Sequence, residues 1–324
     1  MTVDIEDLLG KARLGEADPA SKVALARLIS LVERGGEPAR AVGRLAYPLS
    51  GSAYTIGVTG APGAGKSTLN DTLITQARRD GSVAVLAIDP TSPFTGGAIL
   101  GDRLRMNEHY QDSGVYIRSM ATRGHLGGLA FAVPETVRLL DAAGFSTVVI
   151  ETVGVGQVEV EVAGAADTTV VVVNPGWGDA VQANKAGLME IADVFAVNKA
   201  DRPGAREAVR DLEGMLDLAA GGGWRPPVVT TVASTGEGVT ELYSAISKHR
   251  SHLVDSGELD TRRSHRMAEE LSRVLRRRLE EWVGSRWSDP EVEQVRKRCE
   301  RREIDLYSAA DQIVRRVLGA AIGD

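Results

Sequence analysis

The sequence predicts an α/β fold in which helices cover a mostly parallel sheet, and three observations carry that expectation. Short β-rich runs alternate with helical patterns between residues 53 and 250, the order that builds parallel sheets. Several runs are apolar throughout, such as Val83-Ala84-Val85-Leu86-Ala87-Ile88 and Val170-Val171-Val172-Val173. Strands buried on both faces have this composition. One run, Tyr54-Thr55-Ile56-Gly57-Val58-Thr59, leads into a glycine-rich loop, and the loop opens into the helical stretch Thr68-Leu69-Asn70-Asp71-Thr72-Leu73-Ile74.

Residues 1–47 read as an N-terminal helical segment. Asp18-Pro19 is a cap followed by proline at the first helical position. Leu25, Leu28, Ile29 and Val32 then share one helix face, and Gly35-Gly36 ends it. Residues 48–255 read as the α/β domain that carries the glycine-rich loop, with strands expected at 54–59, 83–88, 115–119, 147–151, 169–173, 194–198 and 228–232. Residues 256–324 change character and read as a helical arm. There Met267, Leu271, Val274, Leu275, Leu279 and Trp282 recur at helical spacing, Asp289-Pro290 starts a further helix, and Val292, Val295 and Cys299 lie on one face of it. From 262 to 324 the chain has 15 Lys/Arg against 12 Asp/Glu, so its arginines read as a solvated face or as a patch for an acidic partner.

The chain of 324 residues is 43% hydrophobic, enough for a sizeable core. Its net charge of −6 argues against broad nucleic-acid binding, which needs a basic footprint. A single cysteine, Cys299, forms no intrachain disulfide and suits a reducing compartment. No uninterrupted apolar run is long enough to span a membrane, and the acidic start Met1-Thr2-Val3-Asp4-Ile5-Glu6-Asp7 has no signal-peptide core. The expected location is the cytoplasm.

The loop Gly60-Ala61-Pro62-Gly63-Ala64-Gly65-Lys66-Ser67-Thr68, placed between strand and helix, is a phosphate loop and makes the domain a P-loop NTPase (G domain) fold. Its glycines let backbone N–H groups converge on phosphate oxygens, and the helix N-terminus adds positive partial charge. Lys66 is expected at the β- and γ-phosphates and Ser67 at Mg²⁺. The base is read by Asn198-Lys199-Ala200-Asp201, after the apolar run Val194-Phe195-Ala196-Val197. Guanine offers two N–H donors to a carboxylate such as Asp201, whereas adenine presents an acceptor that would leave that charge unpaired. Asn198 can bond the ring edge and brace the phosphate loop, and the stem of Lys199 can cover the base. Ala233, Ser234 and Thr235 follow the last strand, either as a base-contacting loop or as an ordinary strand-to-helix turn.

Asp89, Asp102 and Glu151 fall at or just past strand ends, the rim where open α/β sheets bind ligands. With Ser67 they are the expected Mg²⁺ set, of which one or two carboxylates suffice. Gly154 is placed to give its N–H to the γ-phosphate, and release of that phosphate would free residues 151–161. Gln157 either orients the attacking water or is a polar residue at a helix start. A further loop, Asn174-Pro175-Gly176-Trp177-Gly178-Asp179, precedes a helical run with Lys185. Its Trp177 marks a partner surface or folds onto its own domain. His249 and His252 read as two solvated histidines near a helix end.

Together these motifs resemble the methylmalonyl-CoA mutase-associated GTPases, the MeaB or ArgK-like family. The match extends through Thr95-Gly96-Gly97-Ala98-Ile99-Leu100-Gly101-Asp102-Arg103 and Glu151-Thr152-Val153-Gly154-Val155-Gly156-Gln157. The glutamate at 151 is distinctive, since most GTPases have aspartate there. The resemblance implies a GTP-hydrolysing chaperone that protects an adenosylcobalamin-dependent acyl-CoA mutase and gates its cofactor loading. It implies catalytic roles for Lys66, Glu151 and Gln157, and a homodimer formed through the C-terminal arm. Asn184 and Trp177 depart from the family pattern, which leaves open a mutase related to methylmalonyl-CoA mutase. Rival readings are a kinase of amino-acid transport proteins and a metal-delivery GTPase. Asp201 argues against the first, and the absence of a ligand-spaced Cys/His set argues against the second.

Overall fold

The computed structural model describes residues 4–13, 18–89, 109, 111–121, 126–152, 164–176, 185–218 and 223–322. The chain forms two compact units, Met1–Arg263 and Ser264–Asp324.

The first unit opens with helices α1 (Ile5–Ala12), α2 (Pro19–Arg34) and α3 (Gly36–Ala46). The Asp18 carboxylate accepts from Ala20 N at 2.8 Å, and proline occupies the first helical position, so α2 starts as its sequence specifies. Gly35 ends it at a positive φ of 73°.

Seven strands follow: β1 (Tyr54–Gly60), β2 (Val83–Asp89), β3 (Val115–Ala121), β4 (Thr147–Thr152), β5 (Thr168–Val173), β6 (Val194–Asn198) and β7 (Val228–Thr231). They form one parallel sheet in the order β3-β2-β4-β1-β5-β6-β7. Between and after them lie α4 (Lys66–Ala77), α5 (Leu126–Ala142), α6 (Lys185–Ile191), α7 (Ala205–Leu218) and α8 (Val239–Ser256). Alternation along each strand divides the core between the two sheet faces. Ala84, Leu86 and Ile88 of β2 pack with α1, α2, α3 and α5, while Val83 and Val85 face the cluster that holds α4 and α8. Val171 and Val173 of β5, with Phe195 and Val197 of β6, meet α7. Both faces are covered, which explains why the strands read as continuous apolar runs.

At the amino ends of the strands the sheet is fastened by charge. Asp167 accepts from Thr55 N at 3.0 Å and from Arg263 Nη2 at 2.6 Å, and Arg263 also donates to the carbonyls of Gly51 and Ala53. Asp193 accepts from Thr169 N at 2.8 Å and from Arg262 Nη1 at 2.9 Å. His249 belongs to this network, which corrects the expectation that it is solvated. It is fully buried, with Nδ1 2.7 Å from Thr168 Oγ1 and Nε2 3.2 Å from Asp193 Oδ1. The reason lies in the face of α8: Leu242, Ala245, Ile246, His249 and Leu253 are all buried, at helical spacing. Burial pushes the His249 pKa below its ordinary value, with the Asp193 charge opposing the shift. Tyr54, hydrogen-bonded to Thr168, is pushed up to about 12, chiefly by burial.

In the second unit, α9 (Glu258–Ser285) continues past Ser264, followed by α10 (Pro290–Glu300) and α11 (Leu306–Ile322). Val292, Val295, Ala309 and Ile313 form its core, with Trp282 and Cys299 packed against it. Asp289 stands at the N-cap of α10, but its carboxylate makes no capping bond. Among the described residues, no helix is long and apolar enough to cross a membrane.

Candidate nucleotide site

The phosphate loop joins the end of β1 to the start of α4 at the carboxyl rim of the sheet. Gly60 and Gly65 have positive φ values of 133° and 90°. A Cβ at Gly60 would strike the Val172 carbonyl of β5, and one at Gly65 would strike the Asn198 amide. Both positions therefore require glycine for space as well as for backbone conformation. No side chain caps α4, so the N-terminal N–H groups of the helix are left to a ligand.

Lys66 is buried, and its Nζ donates to the carbonyls of Gly60 at 2.5 Å and Ala61 at 3.1 Å. Ser67 Oγ donates to Glu151 Oε1 at 2.7 Å, and Glu151 is fully buried on β4. This contact joins residues 84 apart in sequence. Beside it Thr152 Oγ1 donates to Thr59 Oγ1 at 3.1 Å, a link between β4 and β1 that no sequence pattern announces.

Asn198 is the hub of the rim. Its Nδ2 donates to Ala64 O at 2.8 Å, while its Oδ1 accepts from Ala233 N at 3.1 Å and Thr231 Oγ1 at 3.3 Å. One amide thus ties the phosphate loop to the loop after β7. Lys199 has a positive φ of 59° and donates through Nζ to Gly63 O at 2.5 Å. That backbone conformation is uncommon outside glycine, and it lies where the chain turns from β6 toward Asp201. Asp201 is exposed, as are Ser234 and Thr235. The Ala233 N–H goes to Asn198 and the Thr235 N–H to Val232 O, so Ala233 joins the site through Asn198.

The structure thus brings together Gly60, Ala61, Gly63, Ala64, Gly65, Lys66, Ser67, Glu151, Asn198, Lys199 and Ala233. Pro62 and Thr68 lie in the same loop and helix start. Asp89 closes β2, with Ala87 in register with Glu151 of β4. Asp102, Gly154, Gln157, Trp177 and Asn184 lie outside the described residues, and Lys185 is described only as the first residue of α6. Among the described residues, no cluster of three or more His, Cys, Asp or Glu side chains is arranged to hold a metal ion. The Ser67 hydroxyl and Glu151 carboxylate are hard oxygen donors placed side by side, a set that fits Mg²⁺, which keeps most of its waters.

Comparison with known proteins agrees with this geometry. The family model described as methylmalonyl Co-A mutase-associated GTPase MeaB matches residues 25–287. A Pyrococcus abyssi protein, provisionally named a GTPase, is 49% identical over 323 residues, covering 98% of each chain. The GTPase ArgK of Escherichia coli is 39% identical over 247 residues, covering 73% of this chain and 72% of its own. The mitochondrial methylmalonic aciduria type A homolog of Caenorhabditis elegans is 34% identical, covering 76% of this chain and 67% of its own. A crystal structure of an LAO/AO transport system kinase superposes with a TM-score of 0.71 at 25% identity, over 98% of this chain and 99% of that one. With a guanine-nucleotide motif wired to a phosphate loop on this fold, the chain belongs to the MeaB family of P-loop GTPases.

Proposed function

We propose that this GTPase is a nucleotide-gated chaperone for an adenosylcobalamin-dependent acyl-CoA mutase, acting as a cytoplasmic homodimer. The observation that carries the reading is the Asn198 bridge. It makes the base-reading motif, the phosphate loop and the loop after β7 one connected body, so the nucleotide's base and phosphates act on the same structure. The family description and the Caenorhabditis elegans relative support a partner in methylmalonyl-CoA metabolism. Dimerisation is supported by α9, where Met267, Leu271, Val274, Leu275 and Leu279 are 43–63% exposed along one helix. Exposed apolar stripes of this kind are interaction surfaces.

In the proposed mechanism Asp201 pairs with guanine, and the loop amides with the α4 N-terminus cradle the phosphates. Lys66 exchanges its two carbonyl partners for phosphate oxygens and neutralises charge on the transferred group. Ser67 and Glu151 would hold Mg²⁺, with Asp89 and Asp102 as further candidate carboxylates. When bound, the ion supplies positive charge to the phosphate oxygens. A water oxygen bonds to the γ-phosphorus, the bond to the β-bridging oxygen breaks, and GDP and phosphate leave. Gly154 clamps the γ-phosphate through its N–H, and Gln157 orients the water. Loss of the γ-phosphate then changes the segments at 90–107, 151–161 and 174–187, which the mutase reads.

The test is GTP hydrolysis with and without a purified adenosylcobalamin acyl-CoA mutase from the same organism, with ATP alongside. Stimulation by the mutase with ATP inert is the expected result. GTP turnover indifferent to the mutase removes the chaperone assignment. The structural likeness to a transport system kinase motivates a second reading, phosphoryl transfer to a protein acceptor. ATP turnover that yields a phosphorylated protein would favour it.

A further inference from the structure

Around the phosphate loop several buried polar side chains are paired: Lys66 with two carbonyls, Glu151 with Ser67, Thr59 with Thr152, and Asn198 with four groups. Asn70 differs from them. It is fully buried on the inner face of α4, between Leu69 and Leu73, and neither its amide oxygen nor its amide nitrogen has a hydrogen-bond partner among the described residues. Its neighbour Asp71 is engaged, since His109 Nε2 lies 2.9 Å from the Asp71 carbonyl and 3.3 Å from its carboxylate.

A buried amide that bonds nothing is penalised at both ends, and an apolar residue of the same shape removes the penalty. The rest of this face makes that choice, with Leu69, Leu73, Ile74 and Ala77. Asn70 follows Lys66 by four residues and Ser67 by three, so it stacks on the turn that carries both. Helical side chains lean toward the helix N-terminus, the end of α4 at which Ser67 meets Glu151.

We propose that Asn70 is a positioning residue for the nucleotide's magnesium ion. Its amide oxygen accepts from a metal-held water, and its amide N–H donates to an oxygen that the ion gathers. Mg²⁺ retains several waters, and the groups that orient its ligands strongly affect its affinity. The inference rests on the magnesium reading of Ser67 and Glu151.

Asn70→Leu separates this role from a packing defect. Without nucleotide, the variant should melt at a higher temperature than the parent, because an unmet polar group is gone. In titrations of Mg²⁺ into the protein with a fluorescent GDP, the ion should bind about tenfold more weakly, with GDP affinity in chelator unchanged. Asn70→Ala, which adds no bulk, should show the same weakening even if its cavity lowers the melting temperature. Unchanged Mg²⁺ affinity in both variants overturns the proposal. So does a lower melting temperature for Asn70→Leu together with weakened binding in chelator, since the amide would then be serving the fold. Ser67→Ala run in parallel distinguishes the two levels. If it too leaves Mg²⁺ affinity unchanged, the magnesium reading fails with the proposal; if only the Asn70 variants are silent, the proposal fails alone.

Discussion

At the carboxyl ends of the strands, Lys66 and Lys199 donate to backbone carbonyls of the phosphate loop, whereas at the amino ends Arg263 meets the carboxylate of Asp167 at 2.6 Å. Both edges are polar and largely buried, yet they serve opposite ends. A lysine held by neutral carbonyls can trade them for phosphate oxygens and gain a charge partner. An arginine already paired with a buried carboxylate has little to gain by moving. The amino edge, with Asp193 between Arg262 and His249, is built to stay, whereas the rim, on the proposed mechanism, exchanges partners.

Several changes should break or sharpen this contrast. Asp167→Ala should have the largest effect, costing about 2–3 kcal/mol, the scale of hydrogen bonds lost from a buried carboxylate to a half-buried arginine. Urea unfolding measures it, and KM for GTP in the surviving folded fraction should stay near the parent value. A large KM change would mean the amino edge is no mere fastening. Lys66→Ala should lower kcat by about two to three orders of magnitude, with a melting temperature close to the parent's. Near-normal hydrolysis by this variant would remove the phosphate-loop assignment. Asp201→Asn should weaken the preference for GTP by about 10–100-fold, the scale of one hydrogen bond to a charged group, read by competition between guanine and inosine or xanthine nucleotides. Guanine selectivity that survives intact would move base reading elsewhere.

The smallest effect should come from acid. His249 is held neutral by burial, so the unfolded chain binds a proton that the folded chain resists. Its contribution is complete above the unfolded pKa of ~6.5 and is lost as the pH falls below that value toward the depressed folded one. Asp193 and Glu258 oppose the shift, while Arg262 and His252 reinforce it. His249→Gln should flatten the acid limb of stability between these values. An unaltered limb would assign the acid sensitivity to other groups.

Much of the fold was legible in the sequence because its determinants are local. A strand buried on both faces is apolar at most positions, so β2, β4, β5 and β6 declare themselves within a residue or two of their observed ends. The cap-and-proline start of α2 and the glycines of the phosphate loop are equally local, each dictated by one backbone conformation. The reading of His249 failed for a different reason. Polarity and closeness to a helix end suggested water, but its register with Leu242, Ala245, Ile246 and Leu253 pointed inward.

By itself, then, the sequence determined which segments are strands and helices, where the phosphate loop lies, and which residue types could read guanine. Tertiary structure alone decided that Ser67 meets Glu151, that Asn198 joins Ala64 to Ala233, and that Asn70 is buried with its amide unmatched among the described residues. Those meetings depend on strand order and register: Gly60 falls beside Val172, and Ala87 beside Glu151. Parallel pairing joins strands far apart in the chain, so long-range geometry, which no local pattern encodes, sets which side chains converge on the rim.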